Sequence, residues 1–254
     1  MPDAAYTGLA QWYDRLMRDV PYDDWIDWTE QMWINHWGRM PERAVELGCG
    51  TGNIAIPLAQ KGMSIIGIDL SEEMLACAEA KWQNMKQRGS IAWLHQDMSD
   101  WTLSQPTDSV IAYCDALNYV TDPQTLVQVF HCAYAGLNPG GLLLFDMLPE
   151  ERFMQYAEQQ PFVIDEGDLA YYWFCEYDEE TGIIEHDLTF YIQEKEGSLY
   201  RKQREIHNQR AYDPEWVLQV LKEIGFDDPQ HFTGLYPHSP GMEDRLFFQA
   251  VKKS

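Results

Sequence analysis

The stretch Ala44-Val45-Glu46-Leu47-Gly48-Cys49-Gly50-Thr51-Gly52 decides how the rest of the chain is read. A short apolar run, interrupted by one acid, passes directly into alternating glycines. The next segment, Asn53 to Gln60, has helical spacing and tolerates Pro57 near its first turn. Strand, glycine turn and helix therefore follow one another within one short window. Glycines at 48, 50 and 52 have no Cβ, so the backbone there can approach a ligand and adopt angles closed to other residues.

Working outward, the pattern repeats. Ser64 to Ile68 reads as a second strand ended by Asp69, and Ser71 can cap a helix running to about Arg88. Further strands are expected at Ile91 to His95, Ser109 to Tyr113 and Gly141 to Phe145. Helical spacing runs from Thr125 to Leu137, and Asn138-Pro139-Gly140-Gly141 reads as the turn before the fifth strand. Strands alternating with helices argue for a mostly parallel sheet covered on both faces. Upstream, Ala4 to Arg18 places Leu9, Trp12, Tyr13 and Leu16 on one helical face. A second helix, Trp25 to Trp37, starts after Pro21 and the acidic Asp23 and Asp24, and Pro41 marks its exit. These two helices are expected to cover the sheet.

After Asp146 the rhythm changes. Phe162 to Ile206 is rich in Tyr, Phe, Ile and Thr, with turn signals at Glu166-Gly167, Glu180-Thr181-Gly182 and Glu196-Gly197, which predicts an antiparallel meander. Helical spacing returns at Pro214 to Ile224, with a stop at Gly225-Phe226. Two final strands are expected near Gln230 to Tyr236 and Arg245 to Val251. The expected organisation is a helical cover and ligand-binding core over 1–147, an antiparallel insertion over 148–207 that forms a cover, and completion of the core sheet over 208–254.

Forty-one acidic residues against eighteen Lys and Arg give a net charge of −23, a field that opposes binding to nucleic acid. The main basic concentration, Arg201, Lys202, Arg204 and Arg210, suits one small anion or a solvated strand face better than a duplex. Five cysteines without CxxC spacing point to a reduced intracellular protein. Neither a signal-like N-terminus nor an apolar run of spanning length is present, so a cytoplasmic location without membrane association is expected. The histidines are scattered and make no HExxH pattern, so no metal is expected. P-loop chemistry is excluded because no Lys-Ser or Lys-Thr pair follows the glycines. The glycine spacing also departs from G-x-G-x-x-G, although Asp69 occupies the position of a ribose-binding acid. Such an acid alone does not distinguish one nucleoside cofactor from another.

Glu46-Leu47-Gly48-Cys49-Gly50-Thr51-Gly52, together with Asp69 and the downstream Gln96-Asp97-Met98, resembles the class I S-adenosylmethionine-dependent methyltransferase family. The resemblance covers Ala44 to about Met147 and, less diagnostically, the terminal helix and strands. It implies an α/β fold: a Rossmann-like seven-stranded methyltransferase sheet, mostly parallel with the last strand antiparallel, helices on both faces and a small antiparallel β insertion. It implies S-adenosyl-L-methionine as cofactor, with Gly48, Gly50 and Gly52 under its amino-acid part. Glu46 would orient the loop or receive the cofactor ammonium through water. Asp69 would bind the ribose hydroxyls, and Leu70 and Met74 would contact the adenine face. Asp97 would accept from the adenine amine, while the Met98 backbone N–H would meet a ring nitrogen. Cys49 resembles a common nonreactive residue of this loop. Met74 also suits the core, and Asp97 also suits a helix cap.

The segment Tyr113-Cys114-Asp115-Ala116-Leu117-Asn118-Tyr119 follows the fourth strand, where this fold places the transferable methyl. Asp115 and Asn118 could position an amine or hydroxyl there, or cap the loop. Tyr6 and Tyr13 could form an aromatic lid or pack as core. The run from Arg204 to Tyr212 resembles the segment after the small sheet in methyltransferases that act on metabolites or amino sugars. Within it His207 could remove a proton, with Tyr119 and Asp115 behind it, while Arg210 could hold a carboxylate or phosphate and Tyr212 could contact the acceptor. The expected activity is methyl transfer to a small metabolite, an amine or hydroxyl acceptor carrying an anionic group, by a monomer or homodimer. The alternatives are an RNA or protein methyltransferase and a noncatalytic cofactor-binding regulator. A dehydrogenase is the poorer fit.

Overall fold

The apolar run before the glycine turn lies at the centre of a sheet. The computed structural model describes residues 10–194, 199–234 and 245–253. Its core strands are β1 (Arg43–Leu47), β2 (Ser64–Asp69), β3 (Ser90–His95), β4 (Thr107–Ala112) and β5 (Leu137–Met147), and near the C-terminus β10 (Phe226–Thr233) and β11 (Leu246–Lys252). Their spatial order is β10-β11-β5-β4-β1-β2-β3. Neighbours from β5 to β3 pair in parallel, and β11 is antiparallel to both β5 and β10. The outcome is a Rossmann-like sheet in which β11 is the reversed strand.

Alternation along β1 assigns its two faces. Val45 and Leu47 join the core beneath α5 (Pro123–Gly136) and α7 (Pro214–Ile224), while Ala44 joins the core beneath α2 (Tyr22–Trp37) and α3 (Ala55–Gln60). Polar anchors fix α2 to β4: the Trp33 indole donates to Ser109 Oγ at 2.9 Å, and Thr29 Oγ1 lies 2.6 Å from the Tyr113 hydroxyl. The helix starts follow their capping chemistry. Ser71 caps α4 (Glu72–Gln83), and Asp122 and Asp213, each followed by Pro, cap α5 and α7.

Several boundaries differ from the sequence reading. Helix α4 ends at Gln83 rather than near Arg88. Asn138 to Gly141 lie inside β5 rather than in a separate turn. Gly140 adopts φ +74°, and the ladder jumps from Thr107↔Leu137 to Ser109↔Leu142, so the extra residues bulge out of an otherwise continuous strand. Strand β10 begins at Phe226 because Gly225 ends α7 and the chain turns at once into the sheet. Helix α6 (Glu150–Gln159), which the sequence reading did not anticipate, precedes the meander.

The meander forms a second sheet of β6 (Phe162–Asp165), β7 (Leu169–Asp178), β8 (Ile183–Gln193) and β9 (Tyr200–Arg210), paired in that order. Strand β9 continues past Ile206 to Arg210. Consequently His207, Gln209 and Arg210 lie within the sheet rather than after it. Helix α1 (Ala10–Leu16) spans both regions. Its Asp14 accepts from Thr51, Asn53 and Lys81 beside the glycine turn, while Arg15 pairs with Glu166 and Asp168 at the start of the meander. Among the described residues no helix is long and apolar enough to cross a membrane.

Candidate active site

The glycine turn is built from backbone angles and one carboxylate. Gly48, Gly50 and Gly52 have φ of +66°, +51° and +80°. A Cβ on Gly48 would lie 2.7 Å from the Ala116 Cβ, whereas one on Gly50 would meet nothing within 4 Å, so Gly50 faces open space. Asp69, at the end of β2, accepts the Gly50 N–H at 2.7 Å on one oxygen and the Ser71 N–H at 2.9 Å on the other. It therefore ties the turn to the start of α4. Burial pushes its carboxyl up, opposed by those backbone N–H groups. Glu46 points to the α3 side, 4% exposed, where burial pushes its carboxyl well up. Its Oε2 is a buried polar atom without a hydrogen-bond partner.

These groups border two cavities. The smaller, about 30 Å³, lies among Glu46, Cys49, Thr51, Tyr22 and Tyr13. The larger, about 360 Å³, has Gly48, Gly50, Asp69, Leu70, Met74 and Met98 on one side. Leu70 is 48% exposed and Met74 is 2% exposed, so an apolar wall is presented there from both a surface and a core side chain. The opposite side is formed by Tyr119 and Thr121 after β4 and by Ile206, His207 and Asn208 of β9, and Tyr13 of α1 also contributes.

His207 is 3% exposed, with Nε2 3.0 Å from Glu205 Oε2 and Nδ1 3.4 Å from the Tyr119 hydroxyl. Beside it, a chain of polar contacts, buried at His186 and Gln209, joins the two sheets. The Trp173 indole donates to His186 Nδ1 at 3.1 Å, so the remaining His186 proton is on Nε2, 3.0 Å from Gln209 Oε1. Burial holds His186 neutral, pushing its pKa down to about 4. Gln209 Nε2 donates to Asp115 Oδ2 at 2.6 Å, and Arg245 donates to both Asp115 and Asp146. Burial opposes the charge of Arg245, but the carboxylates of Asp146 and Asp115 outweigh it and hold the guanidinium protonated. Burial pushes Asp146 up to about 6, against the pull of Arg245.

Several expected side chains are turned elsewhere. Asp115 does not line the cavity, because its carboxylate is taken by Gln209 and Arg245. Asn118 is fully buried, donating to Leu148 O and Arg210 O and accepting from Leu148 N. Arg210 donates to Thr121 O at 3.0 Å, with its guanidinium over the Tyr212 ring. Tyr212 is buried, donates to Val120 O and stacks on Trp216. Asp97 is exposed and caps its own turn, accepting from Ser99 N at 2.8 Å and Ser99 Oγ at 2.7 Å, while its neighbours Gln96 and Met98 line the cavity. Gly52 packs away from the cavity, where a Cβ would lie 2.8 Å from Trp93. Tyr6 lies outside the described residues.

A family described as a methyltransferase domain matches residues 44–141. A protein of Bacillus subtilis (strain 168) named provisionally as a methyltransferase, YqeM, is 35% identical over 255 residues that cover 97% of each chain. The chain belongs to the class I S-adenosylmethionine-dependent methyltransferases. The crystal structure of a S-adenosylmethionine-dependent methyltransferase from Clostridium acetobutylicum ATCC 824 is 25% identical, covers 98% of this methyltransferase and 99% of its own chain, and gives a TM-score of 0.83. The sugar N-methyltransferase KedS8 from Streptoalloteichus sp ATCC 53650 is similar in fold, with a TM-score of 0.76 at 18% identity over 96% and 92% of the two chains.

The donor-side groups of this methyltransferase fit its cofactor. Bare backbone at Gly50 leaves room for an amino-acid group, and the orphaned Glu46 Oε2 offers an acceptor to an ammonium. Cys49 is only 4% exposed, and burial pushes its thiol well up, which suits packing rather than nucleophilic attack. Sequence reasoning missed Tyr22, Glu205 and Arg245, and it quoted Gln96 with Asp97 and Met98 without giving it a role. For Glu205 a signal was available, since it stands two residues before His207 and a strand puts both on one face.

Proposed function

We propose that this methyltransferase methylates a nitrogen of a small molecule, with His207 receiving the acceptor's proton. The observation that carries this reading is the make-up of the larger cavity. It ends on the His207 ring and the Tyr119 hydroxyl, and among its described lining residues there is no Lys or Arg. The anionic handle expected from Arg210 is therefore dropped, and an amine, neutral or protonated, fits the negative surroundings better. The likeness to a sugar N-methyltransferase supports the same acceptor chemistry.

When bound, the donor supplies a methyl group on positively charged sulfur. Gly48 and Gly50 would hold its amino-acid part by backbone contact, and Glu46 its ammonium. The ribose hydroxyls fall to Asp69, the adenine faces to Leu70 and Met74, and a ring nitrogen to the Met98 N–H. An amine is nucleophilic only without its extra proton, so the group that removes it must lie beside the acceptor. His207 meets that need, and Tyr119 would orient the nitrogen. Alignment by the cavity walls contributes the rest of the rate gain. The main sheet and its helices would bind the donor, while the second sheet, which runs to Arg210 at the end of β9 rather than to 207, would cover the acceptor.

The test is a labelled-methyl transfer screen against fractionated metabolites, with the product identified by mass spectrometry. An N-methylated small molecule is the expected product. A product methylated on oxygen, carbon, RNA or protein would overturn the reading, and donor binding without transfer would favour a noncatalytic regulator.

A further inference from the structure

His207 stands out in the sequence as a titratable residue near the acceptor, but Glu205 is what gives its two nitrogens different roles. Residues 203, 205 and 207 share the inward face of β9, and the Glu205 and His207 side chains are 11% and 3% exposed. Glu205 Oε2 lies 3.0 Å from His207 Nε2, and Gln203 Nε2 donates to Glu205 Oε1 at 3.0 Å. Both carboxylate oxygens are thereby fixed. An ionised carboxylate only accepts, so Nε2 carries the proton in this contact. The lone pair is left on Nδ1, which faces the Tyr119 hydroxyl at 3.4 Å, and both Tyr119 and His207 line the cavity. His186, the register partner of His207 on β8, is bound instead to Trp173 and Gln209.

We propose that Glu205 is the positioning residue of the active site: by accepting the Nε2–H of His207 it fixes the ring's orientation and tautomer, and so presents Nδ1 to the acceptor. This rests on the reading of His207 as the proton acceptor. For an acceptor entering as an ammonium, one N–H bond breaks and its proton moves to Nδ1. The electron pair stays on the acceptor nitrogen, and Glu205 faces the resulting imidazolium until its proton leaves to solvent. Orienting carboxylates of this kind typically change rates or affinities by roughly tenfold to a hundredfold.

The experiment compares 15N-labelled wild type with Glu205→Leu and Glu205→Gln. Wild type should show a slowly exchanging proton on Nε2 of His207. Glu205→Gln, which keeps an acceptor oxygen, should retain it, and Glu205→Leu should lose it or move it upfield. With the amine identified by the methyl-transfer screen, kcat should fall roughly tenfold to a hundredfold in Glu205→Leu and less in Glu205→Gln. The Kd for S-adenosylmethionine, measured by calorimetry, should be unchanged in both. A wild-type proton on Nδ1, or a Glu205→Leu protein with the Nε2 signal and kcat unaltered, would overturn the proposal. If Glu205→Leu fails to fold, the wild-type assignment and the kcat of Glu205→Gln decide, and wild-type values for the latter count against it. Unchanged kcat in His207→Ala would remove the underlying reading of His207 while leaving the hydrogen-bond assignment standing, so the two failures are distinguishable.

Discussion

The proposed donor side and the proposed acceptor side of the cavity are held by different means. On the donor side, positive-φ glycines and the backbone N–H groups taken by Asp69 set the geometry, all within a few residues of the ends of β1 and β2. On the acceptor side, side chains from β9 meet the segment after β4, residues some ninety positions apart in the chain. Local backbone holds the first, and strand register holds the second. Substitutions should therefore act differently on the two sides.

The largest effect is expected where the turn itself is filled. Gly48→Val places a branched side chain at φ +66° and against Ala116, and should cost about 4 kcal/mol of stability and abolish donor binding. Thermal melts and calorimetry would show it, and a stable variant with normal donor affinity would break the claim that backbone shape governs this side. His207→Ala should lower kcat by about a hundredfold or more with donor Kd unchanged. Loss of donor affinity in that variant would blur the division between the two sides.

The third effect is on stability against pH. His186 has its pKa pushed from 6.5 to about 4 by burial, so the unfolded chain takes up this proton more readily than the folded one. Its contribution is present above pH 6.5 and is lost as the pH falls toward 4, by about 3 kcal/mol in all. Denaturant melts from pH 7 to pH 4 should show a steeper loss in wild type than in His186→Gln. Parallel curves would show that His186 does not set the acid limb. Asp69→Ala should weaken donor binding by roughly tenfold to a hundredfold, since it removes the acceptor that joins Gly50 to Ser71. Calorimetry checks this. Arg210→Ala should change acceptor KM by no more than about twofold, because its guanidinium is occupied by Thr121. A large rise in KM would restore the anionic clamp.

What the sequence made legible follows the same division. The glycines, the acid ending β2 and the Ser71 cap are local signals, and the structure brings Gly48, Gly50, Asp69, Leu70, Met74 and Met98 around one cavity. Asp97 illustrates the limit of that side: the surroundings of its neighbours were legible, but Ser99, two residues on, competes for its carboxylate. On the other side the residue types were visible and their directions were not. His207 and Arg210 looked like one constellation, yet an odd separation along a strand puts them on different faces. Helix α6 was missed because Phe153 is its one fully buried side chain, too little for a clear apolar stripe.

The polar chain from Trp173 through His186, Gln209 and Asp115 to Arg245 has an architectural consequence. It bridges the meander and the main sheet, donors running from Trp173 to Asp115 and Arg245 donating to Asp115 from the other end. A wall bolted to its foundation in this way cannot swing to suit a new guest without orphaning buried partners. A different acceptor would then be fitted by repainting exposed positions of that wall, such as Ile206 and Asn208, rather than by rehanging it.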